Sequence, residues 1–500
     1  MEDNERAKSL FGSFDVEQAK KSKEKTEVQL RQSKREALAQ KHRNLNTSSP
    51  WISLTDHYPD TYSSSDLPAI LSSFSSQNDS SYLYIAHAIR ILLCHDDCPL
   101  EDICRSEVMN HIQIWLNRND FTQLQYETAW ICTNISSSPM CYILYNIGVI
   151  QSMINLLYSS NDEVRYQISW ALGNISADTP EERDYLLSIN AIEGLEYCLK
   201  NSIKEKHTST VLWALTNLCR TKPIPHVSAI KSIFPLVVPW LKTNTVSILI
   251  DILWALCGYT KSMELLGIFG SNEGFETMRE LLNITDAKAK RLALRVLGGL
   301  FFTSGTLTQD YLNRDIAKSI KQTLKCKSVK VKKEAIWALG NACGETDTQI
   351  HSILAEGIFE IIIKYAQSEV PLIRRECAWT LCNTSAVANF SQLVKLLQMG
   401  LIHGLISLLK DGIEVNIVLQ GMTKIFDKCL KLCQTLDGHN LLIMAVDNCQ
   451  GIGIIEKYTT HNNEKIVEKS LRLLRIIESQ GVSEDNHIEL MQSVTTGLDF

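Results

Sequence analysis

Residues 164–176 read VRYQISWALGNIS, and in this stretch Trp170 stands four residues before Asn174. Four residues are slightly more than one helical turn, so both side chains are predicted to project from one face of a helix. The same pair occurs five times: Trp130/Asn134, Trp170/Asn174, Trp213/Asn217, Trp337/Asn341 and Trp379/Asn383. With Trp254 and Arg295 included, these positions recur every 40 to 43 residues. A period of this length is typical of armadillo and HEAT solenoids.

The chain from 67 to 480 reads as a series of such repeats. Four turns of similar sequence each precede a short apolar helix and then a longer helix: 148–150, 190–192, 356–358 and 399–401. This succession is the armadillo unit, and about ten units are present, with atypical ends that act as caps. The predicted fold is an all-α, right-handed superhelical solenoid with a continuous core.

The charge distribution predicts a basic N-terminal arm on an acidic body. Between Lys20 and Arg43 there are nine Lys/Arg and three Glu. Residues 1–44 carry a net charge of +3, so with a total of −6 the remainder carries −9. Apolar residues at helical spacing make the arm a conditional helix that can fold onto the body. A flexible Ser/Thr-rich linker is predicted at 45–66 and a disordered polar tail at 481–500.

The sequence gives no sign of an enzyme, a cofactor site or a metal site. It contains no phosphate-binding Gly-rich loop, no HExxH motif and no two CxxC motifs, so no catalytic residues are predicted. Cys94–Cys98 and Cys429–Cys433 have helical spacing but no second ligand pair nearby. The fifteen cysteines are interpreted as reduced, in a cytosolic or nuclear compartment. No apolar stretch reaches about 18 residues, so no membrane span is predicted.

Alanine and leucine at neighbouring positions already provide a core, so the Trp/Asn pairs are not needed for packing. The pairs therefore predict a binding surface. Parallel indoles form slots for the methylene stem of a Lys or Arg, and nearby acids accept the charged head. The expected acids are Asp178, Asp251, Glu334 and Glu376. An asparagine carboxamide can bond an extended peptide backbone without reading its sequence. The predicted ligand is therefore an extended, lysine-rich peptide.

The surface is predicted to have a gap in its middle. Gly258 and Gly299 stand where asparagines would continue the series, and Lys261 adds a positive charge there. The pairs therefore divide into a three-pair site and a two-pair site. A ligand with two basic clusters could occupy both and gain affinity through avidity.

Several stretches resemble the importin-α (karyopherin-α) family of nuclear import adaptors, and the resemblance covers nearly the whole chain. They are 126–136 (YETAWICTNIS), 164–187, 211–220 (VLWALTNLCR), 333–344 (KEAIWALGNACG) and 374–385 (RRECAWTLCNTS). The arm segments 28–36 (VQLRQSKRE) and 41–44 (KHRN) resemble the family's importin-β-binding (IBB) segment. The resemblance implies an adaptor that binds nuclear localisation signals (NLSs) and links their cargo to importin-β for passage through the nuclear pore.

The resemblance also implies the residues of each site. The major NLS site comprises Trp130, Asn134, Trp170, Asn174, Asp178, Trp213, Asn217 and Asp251. The minor NLS site comprises Arg295, Glu334, Trp337, Asn341, Glu376, Trp379 and Asn383. The importin-β-binding residues within 1–44 are Lys20, Lys21, Lys23, Leu30, Arg31, Lys34, Arg35, Lys41 and Arg43.

Further partners implied by the family are an export receptor of the CAS type at the C-terminal repeats, and nucleoporins. The chain is expected to shuttle between cytoplasm and nucleus, to be monomeric or autoinhibited when free, and to bind neither nucleic acid nor membrane directly. The turn after Asn134 is shorter than the family's and lacks its glycine and threonine, while Ser22 and His42 weaken the arm. The alternative is an armadillo scaffold without a transport role.

Overall fold

A computed structural model of the chain describes residues 61–95, 97–432 and 437–478. Every regular element in these ranges is helical, which confirms the all-α prediction. The predicted arm at 1–44, the tail at 481–500 and most of the linker at 45–66 lie outside the described residues. The last linker residues form the 3₁₀ turn Ser64–Asp66, where the Ser63 amide donates to an Asp66 carboxylate oxygen at 2.8 Å.

The chain divides into two compact units, the first ending at Tyr259 and the second beginning at Thr260. The first unit contains α1 Leu67–Ser72, α2 Asp79–Leu92, α3 Leu100–Arg105, α4 Val108–Leu116, α5 Thr122–Ser136, α6 Tyr142–Asn146, α7 Ile150–Leu156, α8 Asp162–Ser176, α9 Pro180–Ser188, α10 Ala191–Asn201, α11 Glu205–Leu218, α12 Val227–Ile230, α13 Phe234–Val237 and α14 Val246–Leu256. Short 3₁₀ segments lie at Ser73–Ser76, Lys231–Ile233 and Val238–Lys242.

The second unit continues with the same alternation of short and long helices. It contains α15 Met263–Gly270, α16 Asn272–Asn283, α17 Ala287–Thr303, α18 Gly305–Asn313, α19 Ile316–Thr323, α20 Val329–Ala342, α21 Asp347–Ala355, α22 Ile358–Ala366, α23 Pro371–Val387, α24 Phe390–Gln398, α25 Leu401–Lys410, α26 Val415–Leu432, α27 Asp437–Asp447, α28 Gly451–Glu456 and α29 Glu464–Glu478. A 3₁₀ segment at Lys457–Thr460 precedes α29.

The longest helix of each repeat packs against its counterpart in the next repeat. In the first unit α2, α5, α8, α11 and α14 contact one another in that order. In the second unit α17, α20, α23, α26 and α29 do the same. The described part of the chain therefore contains ten such helices, in agreement with the repeat count predicted from the sequence period.

The turns that recur in the sequence share one backbone conformation. Gly148, Asn190, Gly357 and Gly400 all have positive φ, between 61° and 90°. This left-handed conformation is easily adopted by glycine and tolerated by asparagine. The last three residues directly precede the short helices α10, α22 and α25. The common turn predicted from the sequence is thus confirmed.

The core consists of aliphatic side chains next to each Trp/Asn pair, as predicted. The alanines and leucines beside the pairs are at most 1% exposed: Ala129, Ala171, Leu172, Ala214, Leu215, Ala338, Leu339, Ala378 and Leu381. Cysteines are part of this core. Cys132, Cys219 and Cys382 are buried, and burial raises the pKa of each thiol to about 12. These three thiols therefore act as small apolar groups.

Among the described residues, no single helix has both the length and the apolar character needed to cross a membrane. The helix pair α24 and α25, bent by 64° at its break, passes that test jointly, by length and composition only.

Glycines allow neighbouring long helices to approach closely at the level of the tryptophans. A Cβ atom on Gly173 would overlap the ring of Trp213, and one on Gly298 would overlap the ring of Trp337. Each indole therefore packs on the bare backbone of the preceding long helix. This contact fixes the ring plane and the distance between neighbouring repeats.

Replacing Gly298 by alanine is expected to lower the free energy of unfolding by about 1–3 kcal/mol, the usual effect of forcing extra atoms into a packed site. The matched control is Gly267→Ala, because Gly267 is also helical, lies in the same unit and has open space where a Cβ atom would stand, with nothing within 4 Å. The Gly267→Ala substitution should leave the free energy of unfolding unchanged or raise it by up to about 1 kcal/mol. Urea unfolding followed by circular dichroism measures both, and equal shifts would contradict the packing argument.

Candidate functional site

The residues predicted for the major and minor NLS sites, together with Trp254, lie on the long helices or directly after them. The positions are Trp130 and Asn134 on α5, Trp170 and Asn174 on α8 with Asp178 just beyond its end, Trp213 and Asn217 on α11, Asp251 and Trp254 on α14, Arg295 on α17, Glu334, Trp337 and Asn341 on α20, and Glu376, Trp379 and Asn383 on α23. Most of the tryptophans are partly exposed, but Trp213 is only 7% exposed. Within each unit the structure therefore brings the predicted residues onto consecutive helices.

The amides of Asn174, Asn217 and Asn341 connect their long helices to the backbone of the long helix before. Asn174 Nδ2 donates to the Thr133 carbonyl at 3.2 Å and to Ser136 Oγ at 3.1 Å. Asn341 Nδ2 donates to the Gly298 carbonyl at 2.8 Å. In the described part of the chain, the Oδ1 atoms of Asn174 and Asn341 accept no hydrogen bond. One end of each carboxamide is therefore structural, and the other is an acceptor suited to a ligand N–H group.

The first and last asparagines of the series differ from this arrangement. Asn134 Nδ2 donates to the Cys94 sulfur at 3.6 Å, because the preceding repeat offers a thiol at this level. Asn383 Oδ1 is buried and has no hydrogen-bond partner among the described residues. At that level the link to the preceding helix is made instead by Thr380 Oγ1, which donates to the Ile336 carbonyl at 3.1 Å.

Asn217 is held at both ends of its carboxamide. Its Nδ2 donates to the Gly173 carbonyl at 3.0 Å, and its Oδ1 accepts from the Arg220 guanidinium. Arg220 also pairs with Asp251 at 3.1 Å. The sequence predicted Asn217 and Asp251 as ligand contacts but did not identify Arg220. A peptide that contacts these two groups would compete with the arginine for both of them.

Trp130 is supported from below by a buried ionic cluster that sequence analysis missed. The Arg90 guanidinium lies over the indole at 4.7 Å from the ring centroid, a distance suited to a cation–π interaction. Arg90 pairs with Glu127 at 2.5 Å, and His87 lies 3.5 Å from the same carboxylate. Burial alone would raise the pKa of Glu127, but His87 and Arg90 outweigh burial and hold it below its usual value.

Trp170 is positioned by a chain of aromatic contacts that ends in a second ionic cluster. Tyr166 meets the indole edge-on at 5.5 Å and stacks on His207 at 4.5 Å. His207 lies between two carboxylates, 2.9 Å from Asp162 and 3.5 Å from Glu163. The His207 imidazole beside it, with help from neighbouring lysines, lowers the pKa of Glu163 to about 2. The Glu163 carboxylate is therefore ionised at neutral pH.

The acids predicted for the minor site are engaged within the chain. Glu334 is only 4% exposed and pairs with Arg295 at 3.3 Å. Lys333 lies 3.5 Å from Glu376 and 3.9 Å from Glu334. A ligand lysine would therefore have to compete with two cations of the protein for these carboxylates.

Packing explains one of the two missing asparagines. A Cβ atom on Gly299 would overlap the buried side chain of Thr260, so no larger residue fits there. Gly258 is exposed, and nothing in the structure explains why a glycine stands there in place of an asparagine. Lys261 lies over the exposed ring of Phe302, with its Nζ 5.3 Å from the ring centroid. Within the second unit, the part of the gap around Gly299 and Lys261 therefore has a glycine where an asparagine was expected, and a positive charge nearby.

The short turn after Asn134 brings a cysteine next to the predicted lysine pocket. Ligand atoms of Cys141, Asp178 and Glu182 lie within 4.8 Å of one another. Asp178 follows the end of α8, and Glu182 lies in the first turn of α9, which Thr179 caps through its hydroxyl. Sequence analysis placed only Asp178 here, because the other two residues match no spacing motif.

Comparison with known proteins agrees with this geometry. The family model for the armadillo/beta-catenin-like repeat matches residues 146–177. Importin subunit alpha-6 of Arabidopsis thaliana is 31% identical over 252 residues, 49% of this chain and 47% of that protein. Importin subunit alpha-1a of Oryza sativa subsp. japonica is 28% identical over 487 residues, 92% of this chain and 90% of that protein. Over most of its length the chain is thus similar to importin-α subunits, as a divergent relative.

Other comparisons extend this result. Importin subunit alpha-3 of Arabidopsis thaliana is 27% identical over 95% of this chain and 92% of that protein. The crystal structure of an engineered protein superposes with a TM-score of 0.71 at 20% identity, covering 83% of this chain and all of the other, which supports the fold. These relatives are importin subunits, so the prediction that the chain is not an enzyme is confirmed. The predicted importin-β-binding residues lie outside the described ranges.

Proposed function

We propose that the chain is a nuclear import adaptor that binds extended, lysine-rich localisation signals along its long helices and links their cargo to importin-β. Its similarity, over most of its length, to proteins named importin subunits supports this proposal. The observation that carries it is the row of asparagines. Asn174 and Asn341 donate to the preceding helix and leave a carboxamide oxygen for a ligand backbone.

The main signal site is proposed in the first unit, around Trp130, Asn134, Trp170, Asn174 and Asp178. The indoles of Trp130 and Trp170 lie on consecutive helices and are held by Arg90 and Tyr166. A lysine stem packs between these apolar faces, and its ammonium group reaches the Asp178 carboxylate. The site is extended by Trp213, Asn217 and Asp251 when Arg220 releases its contacts with Asn217 and Asp251.

The minor site is proposed at Arg295, Glu334, Trp337, Asn341, Glu376, Trp379 and Asn383. Its acids are already paired with Arg295 and Lys333. Because a ligand cation must displace these partners, its affinity for a single basic cluster is proposed to be lower than that of the main site. It contributes chiefly when one ligand carries two clusters.

The arm at 1–44 is proposed to bind importin-β and, in the free protein, to cover the signal site. Its net charge of +3 opposes the −9 of the remaining chain. Binding by importin-β then removes a competitor from the surface, so cargo and importin-β bind with positive coupling. The same proposal includes an export receptor of the CAS type, which binds at the C-terminal repeats. It also includes contacts with nucleoporins and shuttling between cytoplasm and nucleus.

The double substitution Trp170→Ala/Asn174→Ala in residues 45–500 is expected to weaken binding of a lysine-rich signal peptide by about 2 kcal/mol or more, since central interface anchors typically cost this much when truncated. Fluorescence anisotropy with a labelled peptide measures the change.

The matched control is Tyr158→Ala/Asn155→Ala, which removes an aromatic and an asparagine from exposed positions at the end of α7. That variant should bind like the parent protein. If the parent binds and both variants bind equally well, the site assignment is wrong. If the parent shows no binding, an armadillo scaffold without a transport role becomes the better account.

Deleting residues 1–44 is expected to tighten peptide binding relative to the full chain, because a competing basic segment is removed. The difference should shrink at high salt, where screening weakens attraction between arm and body. Equal affinities at low salt would refute self-inhibition and leave the adaptor role intact.

A further inference from the structure

Three potential metal-binding groups meet where the turn after α5 contacts the turn between α8 and α9. The atoms are Cys141 Sγ and one carboxylate oxygen each from Asp178 and Glu182, all within 4.8 Å of one another. Cys141 is 1% exposed and directly precedes α6. Asp178 is partly exposed, so an ion from solvent can reach the cluster.

Glu182 gives this cluster an unbalanced charge. Its side chain is directed into the cluster, the residue is 7% exposed, and Oε2 is buried without a hydrogen-bond partner among the described residues. A buried, partnerless carboxylate oxygen next to a second carboxylate is costly unless a cation balances the two.

The donor set indicates which cation fits. A thiolate excludes Mg²⁺ and Ca²⁺, which take oxygen ligands, and favours a softer ion such as Zn²⁺. With Zn–S and Zn–O bonds of usual length, ligand atoms around a tetrahedral zinc lie roughly 3.4–3.6 Å apart. The three groups need to close by only about 1 Å to reach that geometry, and a fourth position stays open to water.

We propose that Cys141, Asp178 and Glu182 form a binding site for one zinc ion. Zn²⁺ replaces the thiol proton of Cys141 and any proton held by Glu182, and these protons leave to solvent. Zinc and the signal lysine then exclude each other, because both require the Asp178 carboxylate. This second statement depends on the proposed function, whereas the zinc site itself does not.

The test is a zinc titration of the metal-free full-length chain in competition with a chromophoric chelator. The wild type should bind one Zn²⁺ at this site, and Glu182→Gln should bind it at least about tenfold more weakly, since even outer-shell changes weaken metal sites 10–100-fold. Glu181→Gln is the matched control, because Glu181 is the exposed neighbour of Glu182 on the same helix. It should bind like the wild type, and Mg²⁺ should not compete.

Cobalt substitution identifies the sulfur ligand among the fifteen cysteines. Co²⁺ bound to a thiolate gives a charge-transfer absorption that should disappear in Cys141→Ser and persist in Cys198→Ser, a buried cysteine of the same unit. Circular dichroism checks that each variant is folded. Zinc binding that is unchanged in Glu182→Gln and in folded Cys141→Ser would overturn the proposal.

The peptide assay separates the two statements. Zinc should weaken signal-peptide binding by the wild type and leave binding by Glu182→Gln unaffected. If zinc binds at the three residues but does not change peptide affinity, mutual exclusion is overturned and the zinc site stands. If the peptide does not bind even without zinc, the proposed function fails while the titration still decides the metal site.

Discussion

The bond from an asparagine amide to the backbone of the preceding long helix is the constraint on which the binding surface depends. A single such hydrogen bond contributes only about 0.5–1.5 kcal/mol net to the stability of the fold. It nevertheless sets the rotation and the axial position of one helix relative to the next. The Gly173–Trp213 and Gly298–Trp337 contacts act at the same level and fix the spacing. At Asn174 and Asn341 the result is a carboxamide oxygen left open beside the partly exposed indoles of Trp170 and Trp337.

The partners of each asparagine also distinguish the positions at which the carboxamide oxygen is open from those at which it is filled. At Asn174 the Nδ2 group donates to the preceding helix and the carboxamide oxygen has no partner among the described residues, so the oxygen can accept a hydrogen bond from a ligand. Where an arginine fills the acceptor end, as at Asn217, the position is closed. The acidic residues expected to bind a ligand lysine are likewise engaged within the chain. Their carboxylates form ion pairs with Arg295, Lys333 and Arg220. These ion pairs are the reason why the main signal site is proposed in the region from Trp130 to Asp178.

The sequence was sufficient to predict the repeat, the helical fold, the common turns and the positions of the pairs, because all of these follow from local periodicity. It was not sufficient for contacts between repeats. Arg90 lies on the long helix before that of Trp130, and Arg220 lies in the turn just after the helix that carries Asn217. Neither arginine belongs to a distinctive motif. Trp213 was predicted as a ligand contact but is nearly buried, because the glycine before it lets the ring sink inward. Cys141 and Glu182 meet only after folding, so no spacing rule could pair them.

The most direct test of this account is a crystal structure of the chain with a lysine-rich signal peptide. The account predicts an extended peptide in which a backbone N–H donates to Asn174 Oδ1 and a lysine ammonium group lies beside Asp178. Asn174 Nδ2 should keep its bond to the Thr133 carbonyl, as it has without ligand. A peptide bound on another face, or one that breaks the asparagine-to-backbone bond, would contradict the claim that this bond creates the binding surface.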